Sequence, residues 1–121
     1  MRVARFEDLA VWKKSKALSL GIYRMTNTGR FSHDFALKDQ IRRAAVSVMS
    51  NIAEGFERYS RSEFRHFLSI ARGSASEVRS QLYLAYELGY VSEPEFASQI
   101  DLCLEISRML AALHRKSAPK S

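Results

Sequence analysis

The stretch from Ser60 to Gly89 constrains the fold most. Phe64, Phe67, Leu68, Ala71, Ala75, Val78, Leu82 and Ala85 recur at three- and four-residue spacing, tracing one apolar face for about six helical turns. Ser60 and Glu63 open it with the S-x-x-E pattern of a capping box, in which each side chain satisfies a backbone N–H that the first turn leaves free. Gly89 closes it, glycine being the residue that takes the left-handed C′ conformation cheaply. A helix this long with one apolar stripe must bury that stripe against other helices, so the rest of the chain is read for partners.

Three partners follow. A helix over about 8–27 carries Val11, Ser15, Leu18, Ile22 and Met25 on one face and ends at Thr26-Asn27-Thr28-Gly29. A second, over about 34–58, carries Leu37, Ile41, Ala44, Ala45, Val48 and Ile52, with either Ser32 or Asp34 as its cap. The long helix spans about 61–88. A fourth, over about 93–114, opens with a second capping box, Ser92 and Glu95, and has Pro94 in the first turn, where a missing N–H costs nothing. Its stripe is Phe96, Ile100, Cys103, Ile106, Leu110 and Leu113, which makes Cys103 a small buried hydrophobe rather than a nucleophile. Short connections between helices of similar length predict an all-α, up-down-up-down antiparallel four-helix bundle in one domain, followed by a disordered tail over 116–121. Only five glycines and two prolines in 121 residues argue against a turn-rich β fold.

Helix 2 has more apolar surface than one bundle needs. Beside its core face runs a polar seam of Gln40, Ser47, Asn51 and Glu54, and beyond the seam lie Val46, Met49 and Ala53. Helix 3 likewise places Ile70, Gly73 and Leu84 off its core face. Single surface apolar residues need no explanation, but the pattern on two helices predicts a homo-oligomer interface at these six positions. The seam residues read as structural polar groups satisfying one another or a neighbour, and Gly55 as a point of close helix approach.

The charge is as uneven as the hydropathy. Net charge is +6, with a pI near 9.8; residues 1–61 hold 12 basic and 6 acidic side chains, and the remainder 7 of each. Such an excess suits an anionic partner, although basic surfaces also simply confer solubility. Arg58, Arg65, Arg72 and Arg79 recur every seven residues, with Arg61 beside them, Ser69 and Ser76 between them and Tyr83 at the end. A ridge of this kind fits a phosphate backbone, with the serines as extra donors and Tyr83 as a stacking surface for a base; Arg42 and Arg43 would widen it. The competing reading is an adaptor or scaffold, whose arginines pair with acids of helix 4 (Glu93, Glu95, Asp101, Glu105), with a neighbouring subunit or with a protein partner.

Function classes are excluded by spacing. His33, His66 and His114 share no metal-binding register, and Walker, G-x-S-x-G and C-x-x-C patterns are absent, so neither enzyme, metal site nor cofactor is expected. A single cysteine demands no oxidising compartment. The N-terminal run lacks the apolar core of a secretory signal and no segment is apolar enough to span a membrane, so the expectation is a cytoplasmic protein without a membrane partner.

FEDLAVWKKSKALSLGIYRMT, QIRRAAVSVMSNIAEGF and RSEFRHFLSIARGSASEVRSQLYLAYELGY together resemble the four-helix bundle proteins of the bacterial 23S rRNA intervening-sequence type, over about Phe6–Leu113. That family is similar in turn to the accessory variability protein of diversity-generating retroelements. The resemblance implies a homopentameric, barrel-like assembly whose basic surface binds RNA or DNA and a reverse transcriptase. It marks Gln40, Arg42, Arg43, Ser47, Asn51, Glu54 and Gly55 as signature positions and supplies no catalytic residue. The family often has proline where this chain has Met49, and methionine lets helix 2 run straighter.

Overall fold

A computed structural model describes residues 3–118. Four α-helices, α1 (Ala10–Thr26), α2 (Phe35–Phe56), α3 (Arg61–Glu87) and α4 (Glu93–Lys116), pack as an antiparallel bundle in which each helix lies against the next and α4 returns to α1. Two 3₁₀ turns, Phe6–Asp8 and Gly29–His33, precede α1 and α2. No helix among the described residues is long and apolar enough to cross a membrane.

Most of the expected stripes form the core. Leu18, Ile22, Ile41, Val48, Ile52, Leu68, Val78, Leu82, Ile106 and Leu110 are fully enclosed, and Cys103 is buried among them. Burial, opposed by the field of Arg79, pushes its thiol up to about 12, so it stays protonated and inert. Ser15 sits in the α1 stripe without penalty because its hydroxyl donates to the Val11 carbonyl one turn back, at 2.7 Å.

The ends differ from expectation in specific ways. Helix α1 starts at Ala10 rather than residue 8, because Phe6–Asp8 forms its own turn and the extended Leu9 caps the helix without a side-chain bond. Asp34, not Ser32, caps α2, its carboxylate accepting from Leu37 N–H at 3.1 Å; the Ser32 hydroxyl instead donates to the Gly29 carbonyl. The Ser92–Glu95 box closes in both directions. At α3 only the Ser60 side chain bonds, accepting from Glu63 N–H at 3.1 Å. Lys116, expected in a disordered tail, is the last residue of α4; the part of that expectation over 119–121 lies outside the described residues. Helix α2 runs unbroken past Met49.

Gly89, at φ +75°, ends α3 in a Schellman turn, with Tyr90 N–H bonded to the Ala85 carbonyl and Gly89 N–H to that of Tyr86. The turn is tied to the α1–α2 connection. Tyr90 donates its hydroxyl to the capping Asp34 at 2.9 Å, its ring packs on the buried Phe31, and Arg30 donates to the Leu88 carbonyl. One carboxylate therefore caps α2 and anchors the α3–α4 turn. At the other close approach, a Cβ on Gly55 would stand 2.7 Å from Phe67 Cβ, so α2 and α3 pack at a distance only glycine permits.

Candidate functional site

Seven residues advance an α-helix by two turns less about 20°, so a heptad of arginines stays nearly on one line. On α3 that line borders α4. Arg72 and Arg79 with Ser69 and Ser76 form one wall of a groove of about 580 Å³; Leu104, Ser107 and Arg108 of α4 form the other. A smaller recess of about 160 Å³ shares Ser69 and Arg72 with it and adds His114 and Arg115. Four arginines and three serines thus line one interhelical track, and among the described residues no carboxylate lines it.

Arg65 lies at the end of this track. Its Nε donates to the His114 carbonyl at 3.2 Å and its Nη2 stands 3.3 Å from His114 Nδ1. A cation there also meets the negative end of the α4 dipole. Burial first, then the charges of Arg65 and Arg72, hold His114 below the usual imidazole range. At the other end Tyr83 is 52% exposed, its ring edge-packed on Phe96 at 5.1 Å, while Phe96 stacks on Tyr86 at 4.5 Å.

Among the described residues no acid of α4 is ion-paired with a ladder arginine, although Asp101 stands seven residues before Arg108 on the same line of the helix. Glu105 pairs with Lys14 at 3.1 Å, Glu95 serves the capping box, Glu93 lies in the first turn, and Asp101 is exposed. Arg58 does not continue the α3 line but lies in the α2–α3 connection; among the described residues it is the one ladder arginine in an ion pair, with Glu54 at 2.6 Å, and it also covers the Phe67 ring. Arg61 is exposed in the first turn of α3.

The remaining candidates fall on other faces. Arg42 is committed to α1: its Nε donates to Thr26 Oγ1 at 2.7 Å and its guanidinium stacks on Tyr23 at 4.3 Å. Exposed Arg43 lines two separate grooves, one with Tyr23 and Val46, the other with Gln40 and Glu77. In the seam, the Asn51 amide donates to the Ser47 carbonyl and hydroxyl, and Ser47 crosses to Ser74 of α3 at 2.9 Å. The seam therefore links α2 to α3 within the chain. Val46, Ile70 and Leu84 are exposed, Met49 and Ala53 half-buried, and Gly73 opens on empty space at the groove mouth. These six do not share a single groove: Val46 lies beside α1, Gly73 beside α4.

Sequence reasoning missed the α4 wall of the track. Its signal was present, because Arg108 and Arg115 are themselves seven residues apart. Among the described residues, no group of three or more His, Cys, Asp or Glu side chains is placed to hold a metal.

No curated protein matches the chain. Among solved structures it is similar to a Bacteroides thetaiotaomicron protein of unknown function from the S23 ribosomal protein family, with 25% identity and a TM-score of 0.80 over 87% of this chain and 95% of that one. The sequence profile of the 23S rRNA-intervening sequence protein family matches residues 7–112. With that match spanning all four helices and the bundle reproduced in a solved relative, the chain belongs to the 23S rRNA-intervening sequence protein family.

Proposed function

We propose that this protein is a non-enzymatic, cytoplasmic homo-oligomer that binds RNA or DNA through the α3–α4 track. One observation carries the reading: Arg72, Arg79, Arg108 and Arg115 line a continuous surface on which, among the described residues, no carboxylate pairs with them. Arginine forks and serine hydroxyls are the donors that phosphate oxygens take. The exposed apolar residues of α2 and α3 support self-association, and the similarity to the accessory variability protein supports a pentameric ring with a reverse transcriptase or another protein as a further partner.

The test compares charge removal at two places. Arg72→Ala with Arg79→Ala is expected to weaken binding to labelled RNA or DNA at least tenfold, whereas Arg43→Ala, which removes charge on other faces, leaves it within about twofold. Equal losses per charge removed would assign binding to diffuse positive charge. No loss from the double variant would remove the track from the function.

A further inference from the structure

We infer that the track takes a single unpaired nucleic-acid strand, its phosphates seated between α3 and α4 and one base stacked on Tyr83. This rests on the nucleic-acid reading and narrows it to one class of ligand.

The walls carry the first part of the argument. The groove over the α3–α4 seam has a volume of about 580 Å³ and carries donors on both walls. Arg72 and Arg79 project from one wall and Arg108 from the other, with Ser69, Ser76 and Ser107 between them. A lone strand can enter and use donors from both sides. A duplex carries its phosphates on a convex surface with two rails about 6 or 12 Å apart across the grooves, so only one of its rails can follow the groove.

The aromatic end carries the second. Tyr83 follows Arg79 by one turn, is half exposed, and is held by Phe96, which Tyr86 backs. A ring ordered in advance loses little freedom when a base stacks on it. Bases inside a duplex already stack on each other and offer no free face, whereas an unpaired base does. The charge of α4 changes along its length in the same sense. Glu93 and Asp101 lie in its first half, towards the Phe96 end, and Arg108 and Arg115 in its second. Phosphate contacts are thus favoured up to Arg79 and stacking beyond it.

Fluorescence anisotropy with oligouridylate, oligodeoxythymidylate and a mixed-sequence duplex of equal length tests this, using wild type, Tyr83→Ala and Tyr83→Phe. Single strands are expected to bind more tightly than the duplex at equal salt. Tyr83→Ala should weaken single-strand binding by about 5- to 150-fold and leave duplex binding unchanged, while Tyr83→Phe retains single-strand affinity. Duplex binding as tight as single-strand binding, or a Tyr83→Ala variant with full single-strand affinity, overturns the inference and leaves the nucleic-acid reading standing. Failure of every probe to bind overturns both.

Discussion

Arg58, Arg65, Arg72 and Arg79 carry one charge each, but their neighbours commit them differently. Arg58 is paired with Glu54, and Arg65 holds the end of α4 through His114. Arg72 and Arg79 have no hydrogen-bond or ion-pair partner among the described residues and line the groove. Arg65, Arg72 and Arg79 were legible as a ladder because a seven-residue period is a local property of one helix; Arg58 keeps the spacing but lies in the connection before α3. The division of labour within the ladder was not, since it depends on which residues of α4 arrive opposite. His114 offers a test at this scale. Its Nδ1 accepts from Arg65 only when the ring is neutral, and burial with two arginines keeps its pKa below the ordinary value of about 6.5. Between that folded value and about 6.5 the unfolded chain binds more protons than the folded one, so this residue makes stability rise with pH across that window. The penalty is complete below the folded pKa and absent above the ordinary one. Thermal denaturation at pH 5.5 and 7.5 should show wild type losing more stability on acidification than His114→Gln.

Among the elements, apolar periodicity and capping chemistry were readable, because each lies within a few residues of its partner. The stripes of all four helices and the full Ser92–Glu95 box are examples. The apolar periodicity places the start of α1 two residues early, since it does not register that Phe6–Asp8 folds as a separate turn and Leu9 is extended. Bonds across elements were invisible: Ser47 to Ser74, Arg42 to Thr26, and Tyr90 to Asp34 depend on the register between helices, which no periodicity encodes. The glycines separate the two kinds of information. Gly55→Ala must push a Cβ into Phe67 Cβ, and should destabilise by about 1–3 kcal/mol despite its better helix propensity. Gly73→Ala meets nothing within 4 Å and should stabilise by about 0.5–1 kcal/mol. Urea midpoints at unchanged slope measure both.

For the whole molecule, the bundle hides one apolar stripe per helix and leaves Val46 at 37%, Ile70 at 39% and Leu84 at 50% exposure. If these residues meet neighbouring subunits, sedimentation analysis should give a mass several times that of one chain, and Ile70→Glu with Leu84→Glu should lower it while the helical signal stays intact. A monomeric wild type would contradict the oligomer reading. The charge is arranged on the same scale: carboxylates serve caps, an α1–α4 ion pair and exposed faces, and the α3–α4 track is left cationic.

The dependence of binding on salt tests the central claim most directly, because its slope counts phosphate contacts. For single strands, log K falls against log salt with a slope of about −0.7 per phosphate contact. Replacing Arg72 and Arg79 with alanine should make the slope shallower by about 1.4. An unchanged slope would mean that these two arginines touch no phosphate, and would contradict the account.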